Sequence, residues 1–584
     1  MITAFYGLSG GIRGQVFNGI FRTQVNVDPL SAFFTFILGL VGFLSSVYLL
    51  NYEMKPRHLT FAIAYNGTLL SALLFLTTEN FEKMILFYEL LALLTFALIL
   101  STVVSGGRNT ARNYIVLTQL FGVVPLLIAL PLTHTAGSSL GGTGANMAVL
   151  PVLYALLLLP PLVRSGVFPF HTWVPRVYRR VPSPVVPVLI VLEGLGIYMM
   201  IRLFWFVLPF LRPLGYVIAF LGMTSAFSIL YSFSEIRLKR KFAYHSVMDV
   251  GLSYFALGSA MVFHGSLTGR ILLIGALFHT LYQSVYKSSI FFGLGAIEHY
   301  GEEPNVCSLR KLFKGHVMAF LMSISAFSMA GLPPLAAFVS KWLIYQGAFM
   351  SGDTLVLMMF FAVAFLGLFP FASVVQVRRL NRDLCKRELG AGNVPLLLRG
   401  VVGTTAMLTV LLSVLPVLMG PIIVPALSEI TGSPVPSFGA LFMANVTASV
   451  IAVLLLTGTA YLGMRIGRIP TDRASELLLI FYNIGDMLAL TRDFILETGR
   501  RAYVTCVLPV IKYIPRYELP LIRDCDDAFD YPVRHIDEAM FMPILRLISG
   551  VSERAGKGAP DMNALMAVFA VVFALLIIFL GVVM

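Results

Sequence analysis

Four charged side chains lie deep inside long apolar runs of the sequence, where a helix that crosses a membrane rarely carries a charge. They are Glu89, Arg164, Lys287 and Lys341. Ionisable residues at bilayer depth are energetically costly, face the interior of a helix bundle, pair with one another and mark the paths of ions. The four residues therefore predict a path for a cation through a membrane.

One of the two lysines belongs to a polar stripe along a single predicted helix. His279, Gln283 and Lys287 occur in HTLYQSVYK at intervals of four residues, which places them on one helix face. Such a stripe on an otherwise apolar helix is expected to face the protein interior, where water can reach it. A haem site would need a second histidine on a facing helix, and His245 is the one candidate. The stripe therefore favours an ion relay over haem binding.

Two of the four charges lie beside segments that cannot continue as regular helix. Arg164 precedes SGVFPFHTWVP, which contains Pro169, and Lys341 follows GLPPLAAFVS, which contains Pro333 and Pro334. Prolines remove backbone donors, so such a break persists in a membrane only where protein or water satisfies the freed carbonyl groups. Broken helices with ionisable groups are typical of ion-coupled transport proteins. Because an arginine hardly releases its proton, we expect Arg164 either to hold Glu89 ionised or to act as a fixed positive gate.

The composition indicates a polytopic helical membrane protein. Of the 584 residues, 58% are hydrophobic and only 12% are charged, which excludes an ordinary soluble domain. The net charge of +13 is attributed to basic loops rather than to nucleic-acid binding. The cysteines form no CxxC motif, so we expect no metal site, no iron–sulfur cluster and no other cofactor. The N-terminus lacks the apolar stretch of a cleavable signal peptide.

Apolar runs long enough to cross roughly 30 Å of hydrocarbon predict about fourteen transmembrane helices. These runs lie near 29–52, 58–79, 81–104, 111–132, 146–181, 184–209, 215–234, 243–263, 270–297, 317–350, 354–379, 402–428, 440–464 and 562–583. Two of them, 146–181 and 317–350, are too long for one straight crossing, and each contains one of the proline breaks. We expect each to be a single discontinuous helix.

The distribution of basic residues predicts the orientation of these spans. With each discontinuous helix counted once, basic clusters at 108–112, 237–241 and 378–387 fall on the same side. The positive-inside rule makes that side cytoplasmic and the N-terminus external. We therefore expect a multi-pass protein of the cell (inner) membrane.

The composition changes near residue 466. The segment SELLLIFYNIGDMLALTRDFILETGRRAYV alternates apolar and charged faces at helical spacing, and its charges argue against a spanning role. We expect a lateral amphipathic and cytoplasmic segment over 466–560. The apolar run that follows predicts a C-terminal transmembrane anchor over 561–584.

Several motifs in one order resemble a known family. They are FYEL around Glu89, FPFHTWVPRVYRRVPSPV at 168–185, LKRKFAYHSV at 238–247, FHTLYQSVYKSSIFF at 278–292 and AGLPPLAAFVSKWLI at 330–344. The sequence resembles the antiporter-like, proton-translocating membrane subunits of respiratory complex I, of Mrp-type sodium/proton antiporters and of membrane-bound group 4 [NiFe] hydrogenases. The resemblance covers residues from about 28 to about 380.

The resemblance implies an all-α polytopic fold with two inverted five-helix repeats, each with one discontinuous helix. The chain would then comprise an N-terminal segment with the first span at 1–57, the first repeat at 58–209, the second repeat at 215–379 and additional spans at 380–465. The lateral segment resembles an arm with which some members clamp adjacent subunits. The implied partners are other membrane subunits, including further antiporter-like ones, and the lipid bilayer. The implied ions are H+ alone or H+ in exchange for Na+. No nucleic-acid partner is expected.

The resemblance also implies roles for particular residues. Glu89 matches the family's glutamate, Lys287 its central lysine, and Lys341 the lysine or glutamate at the second break. These residues would belong to a horizontal row of ionisable groups that links two half-channels.

Four positions depart from the family pattern. Arg164 stands where the family usually has lysine, and Gly194 stands where many members have another lysine, with Glu193 adjacent. Gln283 replaces a second histidine, and Asp249 takes a position that is often histidine. The half-channel with Lys287 is therefore expected to relay protons, whereas the half-channel with Arg164 is expected to be modified, tuned to another ion or inactive.

The sequence leaves three functions open. The first is an ion-translocating subunit of a multi-subunit complex that is driven by redox chemistry in partner subunits or is of the Mrp type, with no redox centre of its own. In that function, protons pass along His279 and Lys287 and leave through Lys341, while Glu89 and Arg164 form a gating ion pair. The second is a stand-alone secondary transporter, which would use broken helices as well. The third is a structural subunit without an ion path.

Overall fold

The computed structural model describes residues 12–17, 23–52, 58–78, 80–102, 108–135, 150–205, 212–299, 301, 303–309, 317–384, 394–414, 420–431 and 445–468. These residues all belong to one compact unit, Met1–Ala474. The predicted C-terminal anchor at 561–584 lies outside the described residues, and so does the predicted lateral segment after residue 468.

A pair of short antiparallel strands precedes the first helix, which the sequence analysis did not predict. Strand β1 (Ile12–Phe17) pairs with strand β2 (Thr23–Val27). The sequence signal is confined to the polar and apolar alternation of TQVNV, which is too short to stand out beside the long apolar runs. Asp28 then caps the first helix by accepting a hydrogen bond of 2.7 Å from the Ser31 amide.

The helices up to residue 205 begin and end close to the predicted apolar runs. They are α1 (Pro29–Leu49), α2 (His58–Leu76), α3 (Phe81–Thr102), α4 (Arg108–Thr118), α5 (Val124–Thr135), α6 (Leu150–Ser165), α7 (Trp173–Arg180) and α8 (Val186–Phe204). A π-helical turn, Gln119–Val123, joins α4 directly to α5. Single π-turns inside helices occur frequently at functional sites.

The second half of the described chain contains eleven helices. They are α9 (Arg212–Ala226), α10 (Ile229–Ser234), α11 (Leu238–Val262), α12 (Leu267–Glu298), α13 (Val317–Ala330), α14 (Ala336–Met350), α15 (Thr354–Leu366), α16 (Leu368–Leu384), α17 (Leu396–Val414), α18 (Gly420–Thr431) and α19 (Val446–Ile466). The predicted runs 215–234, 354–379 and 402–428 are each divided between two of these helices. Hydropathy reports the length of an apolar run but not a turn within it.

Nine segments among the described residues are long and apolar enough to cross a membrane, which confirms a helical, multi-pass membrane protein. Helices α11 and α12 are long but fall outside this set, because their charged and polar residues lower the mean hydropathy. These two helices are the ones that carry Asp249 and Lys287.

Burial separates the protein interior from the surface that faces lipid. All of the most apolar window of Ser183–Phe204 is buried, so α8 is enclosed by protein along its length. Large apolar side chains on peripheral helices are more than half exposed, with values of 62% for Phe43, 62% for Leu59 and 64% for Phe320. Apolar side chains therefore cover the outside of the bundle, as a bilayer requires.

The two helix breaks have the same backbone design. At the first break the amides of Gly166 and Val167 donate to the carbonyls of Val163 and Leu162, at 3.1 and 2.9 Å. This pair of bonds is a Schellman cap, in which a residue with positive φ ends the helix, and Gly166 has φ +65°. Pro169 lies between α6 and α7, after the cap.

The second break repeats this cap. Gly331, with φ +97°, donates to the Ser328 carbonyl at 2.9 Å, and Leu332 donates to the Phe327 carbonyl at 3.0 Å. Pro333 and Pro334 follow the cap and lie between α13 and α14. Local glycine and proline chemistry therefore ends both helices at equivalent points, and the freed carbonyls are satisfied by protein groups.

Close backbone contact between α9 and α11 fixes the position of α11. A Cβ atom added at Gly222 would lie 2.3 Å from the Phe255 amide nitrogen, and one added at Gly258 would lie 2.3 Å from the Ala219 amide nitrogen. Small residues at the contact let two membrane helices approach closely, which is a main source of packing where the hydrophobic effect is absent. Glycine is required at both positions because any side chain would meet backbone atoms.

Candidate functional site

Asp249 of α11 and Lys287 of α12 form a buried ion pair at the centre of the described bundle. The Lys287 Nζ atom lies 3.2 Å from Asp249 Oδ2. Both residues are only 1% exposed. Two opposite charges removed from water stabilise each other only when the remaining donors and acceptors are also satisfied.

The other donors of Lys287 are satisfied by neighbouring side chains. Lys287 Nζ donates to Gln283 Oε1 at 2.9 Å, one turn earlier on α12, and to Ser246 Oγ on α11 at 3.2 Å. An ammonium group has three donors, so these two acceptors and Asp249 complete its coordination. Protein groups therefore supply an acceptor for each donor of the Lys287 ammonium.

Asp249 connects Lys287 to a histidine on the same helix face. The Tyr286 hydroxyl donates to Asp249 Oδ2 at 2.9 Å. His279 Nε2 lies 3.6 Å from the other carboxylate oxygen, Oδ1, just beyond direct hydrogen-bond reach. On its opposite side, His279 Nδ1 lies 2.9 Å from Ser340 Oγ of α14. His279 therefore lies between the Asp249 carboxylate and the residue that precedes Lys341.

Glu193 of α8 extends the network in the other direction. Ser246 Oγ donates to Glu193 Oε2 at 2.8 Å, and the Tyr178 hydroxyl donates to Glu193 Oε1. Ser246 therefore joins the Glu193 carboxylate to the Lys287 ammonium. Glu193 is 1% exposed, so both of its oxygens depend on these protein donors.

These contacts place five of the sequence-predicted residues in one buried network. They are Glu193, Asp249, His279, Gln283 and Lys287. Ser246, Tyr178 and Tyr286 also belong to the network and were missed by the sequence analysis. Ser246 carried a usable signal, because it lies three residues before Asp249 and hence on the same helix face.

Lys341 caps the first half of the second discontinuous helix. Its Nζ atom donates to the carbonyls of Met329 and Ala330, both at 3.0 Å, at the C-terminal end of α13. A cation there also interacts favourably with the helix dipole. A Cβ atom at Gly331 would lie 3.1 Å from Lys341 Cδ, so the glycine also leaves room for the lysine. Lys341 makes backbone contacts here and follows Ser340 directly.

Glu89 of α3 is held by the π-helical turn. The Gln119 side-chain amide donates to both carboxylate oxygens of Glu89, at 3.0 and 2.9 Å. Gln119 is the first residue of the turn that joins α4 to α5. Glu89 is 5% exposed, so this amide provides the polar environment that the buried carboxyl group needs.

The expected ion pair between Glu89 and Arg164 is not formed. Arg164 Nη1 donates instead to the Tyr114 hydroxyl at 2.9 Å, and Tyr114 is held edge-on by Trp173 with 5.2 Å between ring centroids. The Nε and Nη2 atoms of Arg164 have no hydrogen-bond partner among the described residues. Gln119 is the partner of Glu89, and Tyr114 is the partner of Arg164, in place of the ion pair expected from the sequence. Hydropathy and residue spacing cannot reveal such contacts between helices.

Within the described part of the chain, no three His, Cys, Asp or Glu side chains are grouped as ligands of a metal ion. What the arrangement offers chemically is proton exchange. Carboxylate, ammonium, imidazole and hydroxyl groups follow one another across α8, α11, α12 and α14 with little or no access to lipid or bulk water.

Residues 78–367 match the model of the family described as NADH:quinone oxidoreductase/Mrp antiporter, TM. The matched region contains every residue of the network and both helix breaks. This region of the chain belongs to that family of antiporter-like membrane subunits, which confirms the resemblance inferred from the motifs.

Curated relatives agree with this assignment. The chain is 25% identical to hydrogenase-4 component B of Escherichia coli over 351 residues. The aligned region covers 56% of this chain and 51% of that protein. It is 24% identical over 339 residues to one subunit of the Na+/H+ antiporter of Alkalihalophilus pseudofirmus. That aligned region covers 55% of this chain and 65% of that protein. The matches thus span between half and two thirds of the length of these relatives.

Solved structures share the fold. A chain of the Mrp complex from a Dietzia species superposes with a TM-score of 0.69 at 20% identity, covering 92% of this chain and 62% of that chain. A chain of respiratory complex I from Thermus thermophilus with bound aureothin superposes with a TM-score of 0.57 at 21% identity, covering 73% of this chain and 91% of that chain. At this identity the likeness concerns the fold alone.

Proposed function

We propose that this chain is the proton-translocating, antiporter-like membrane subunit of a multi-subunit complex. The observation that carries the proposal is the buried Asp249–Lys287 ion pair with Glu193 on one side, through Ser246, and His279 on the other. A structural helix bundle has no need for this arrangement, because well-packed apolar residues of similar size usually stabilise a fold as well as a buried ion pair does, or better.

Proton transfer along the network follows from the coupling between neighbouring charges. A proton that binds Glu193 removes a negative charge close to Lys287, which lowers the affinity of Lys287 for its own proton. Lys287 then transfers a proton to Asp249, and the neutral carboxyl group transfers it to His279. The proton on Glu193 then passes through the Ser246 hydroxyl to the neutral Lys287 amine, which restores both groups. Each step moves one proton, and no electron is exchanged.

The exit of the proton runs through the second helix break. His279 releases its proton through the Ser340 hydroxyl, and Lys341 receives it at the end of α13. The break places carbonyl dipoles around the Lys341 ammonium, so the protonated lysine is stabilised there until water on the outer side removes the proton.

In this proposal, Glu89 and Arg164 form a gate. Glu89 faces Gln119, and Arg164 retains two unpaired donors among the described residues. A rotation that moves Glu89 from Gln119 to Arg164 would form the ion pair and shift the electrostatic field along the network. Arg164 itself does not carry the proton, since a guanidinium group hardly releases one.

The finer architecture is part of the same proposal. We assign about fourteen spans, with inverted repeats at 58–209 and 215–379, supported by the matching Schellman caps at Gly166 and Gly331. The flanking regions are the N-terminal segment 1–57, the additional spans at 380–465, the lateral segment 466–560 and the anchor 561–584. The basic loops face the cytoplasm, and the N-terminus lies outside.

The driving force comes from partner subunits in the same membrane. The relatives are named as a hydrogenase component and as a subunit of a Na+/H+ antiporter, and the structural neighbours lie in an Mrp complex and in complex I. The transported ion is a proton, alone or in exchange for sodium. Further antiporter-like subunits are the expected neighbours, with contacts made through lipid-facing apolar helices.

The test uses membrane vesicles that contain the assembled complex. Lys341→Ala is expected to reduce proton translocation at least about tenfold, because a relay that loses one member loses a positioned proton carrier. Tyr345→Phe, four residues further on the same helix and also buried, is the matched control and keeps the parental rate. Unchanged translocation in assembled Lys341→Ala would support the structural-subunit alternative, and transport by the purified chain alone would support the stand-alone transporter.

A further inference from the structure

Two buried titratable residues that the proposed relay does not use lie on the face of α11 that carries Asp249. Lys241 and His245 precede Asp249 at intervals of four residues, so the three side chains share one face of α11. Each of the three is only 1% exposed. This stripe leads from the beginning of α11 to the carboxylate at the centre of the network.

The facing helix α16 supplies a matching set of polar groups. Lys241 Nζ donates to Gln376 Oε1 at 3.1 Å, and His245 Nε2 lies 3.1 Å from Ser373 Oγ. Ser373 and Gln376 are three residues apart and therefore share one face of α16. The contact between α11 and α16 is thus polar over two turns, although both helices lie within an apolar bundle.

One ring nitrogen of His245 has no hydrogen-bond partner among the described residues. Its Nδ1 atom is buried, and no hydrogen-bonding group of the described residues reaches it. Buried polar atoms in native proteins are almost always paired with protein or with an ordered water. Because the neighbouring groups are polar, a water at this nitrogen can bridge His245 to the Asp249 carboxylate one turn further on.

The other end of the stripe lies at a charged loop. Glu235 precedes α11, forms an ion pair of 3.1 Å with the partly exposed Arg240, and has 12% of its side chain exposed. Lys241 Nζ also donates to the Ser232 carbonyl at 2.6 Å, at the end of α10. A partly exposed carboxylate therefore lies in the loop that leads to the first buried member of the stripe.

We propose that Lys241 and His245 form a lateral access branch that carries protons from the loop beside Glu235, along the contact of α11 with α16, to Asp249. The branch rests on the proposed function of the Asp249–Lys287 network and adds an entrance to it. A proton passes from the Glu235 carboxyl group to Lys241, from the Lys241 ammonium through water to His245, and from the imidazolium to the Asp249 carboxylate. Each group returns to its initial state when the next proton arrives.

Conservative variants separate a relay role from a structural role. Lys241→Arg keeps the charge and the donors to Gln376 and Ser232, but it hardly releases a proton. His245→Gln keeps a polar group beside Ser373 but cannot titrate at working pH. Ser259→Ala, a buried change on the same helix ten residues beyond Asp249, is the matched control.

Proton translocation is measured in vesicles with the assembled complex, with Lys287→Ala beside these variants. The branch predicts a loss of about tenfold in both Lys241→Arg and His245→Gln, and a parental rate in Ser259→Ala. If both conservative variants keep the parental rate while Lys287→Ala is impaired, the branch is refuted and the central network stands. If Lys287→Ala also keeps the parental rate, the proposed function fails and the branch fails with it.

Access to water gives a second measurement that does not depend on transport. His245→Cys is introduced into the full chain, and membrane-impermeant maleimide is added to one side of the vesicles at a time. The branch predicts labelling above that of the parent from the side of the Glu235 loop and none from the opposite side. A thiol at 245 that stays unlabelled from both sides would overturn the branch.

Discussion

Asp249 Oδ2 lies 3.2 Å from Lys287 Nζ, and this ion pair joins α11 to α12 where both helices are shielded from water and from lipid. The pair is held in place by two kinds of contact. Gln283, Ser246 and Tyr286 satisfy its remaining donors and acceptors. The close approach of α9 fixes the helix that carries Asp249.

Asp249→Asn tests whether the ion pair works as a unit. The amide keeps the size of the carboxyl group but leaves the buried Lys287 ammonium without a counter-charge, which costs roughly 3 kcal/mol or more. We expect a lower thermal unfolding temperature of the detergent-solubilised complex and a strong loss of proton translocation.

The double variant Asp249→Asn with Lys287→Met supplies the control for that prediction. Removing both charges is expected to recover much of the stability, because no unpaired charge is left buried, while translocation stays lost. Recovery of translocation in the double variant would contradict a relay through this pair.

Glu89→Gln tests the gate. The amide can still bond to Gln119, so the complex is expected to assemble with nearly parental stability. Without a negative charge, the side chain cannot form the ion pair with Arg164, and proton translocation is expected to fall several-fold. Glu82→Gln, a change in the first turn of the same helix, is the control. A parental rate in Glu89→Gln would argue against a gating role and would favour a structural role for the half-channel that contains Glu89 and Arg164.

Gly331→Ala tests the geometry of the second break. The substitution introduces backbone strain at φ +97° and brings a Cβ atom to 3.1 Å from Lys341 Cδ, so we expect lower stability and slower translocation. Gly352→Ala is the matched control, since that glycine has φ +62° but no atom within 4 Å of an added Cβ. Equal effects on translocation in the two variants would mean that strain alone, and not the position of Lys341, matters.

Gly222→Val tests the contact that positions α11. A valine side chain would meet the Phe255 backbone, with 2.3 Å already at Cβ, so α9 and α11 must move apart. We expect reduced assembly, measured as the yield of intact complex on a native gel. Gly400→Val, where an added Cβ meets nothing within 4 Å, is expected to assemble as the parent does. Normal assembly of Gly222→Val would show that this close packing is dispensable.

The sequence predicted most of what depends on local patterns. Apolar runs located the helices, and prolines located both breaks, since those signals act within a few residues. The glycine caps at the breaks were found only in the structure. Helical spacing also placed Gln283 and Lys287 on one face, and the structure brings them to 2.9 Å.

What the sequence did not predict depends on how helices pack. The choice of Asp249 as the counter-charge of Lys287, of Gln119 for Glu89 and of Tyr114 for Arg164 follows from contacts between helices that spacing cannot determine. The spacing of Lys241 and His245 places them on one helix face. That this face contacts a polar face of α16 follows only from the structure.

Proton translocation by vesicles that contain the assembled complex with Lys287→Ala tests the relay through the Asp249–Lys287 pair. Tyr282→Phe is the control, because Tyr282 is buried on the same helix and donates to the Leu412 carbonyl at 3.0 Å, away from the network. We expect Lys287→Ala to assemble but to translocate at no more than about a tenth of the parental rate, while Tyr282→Phe translocates normally. An assembled Lys287→Ala complex that translocates protons at the parental rate would exclude a relay through Lys287.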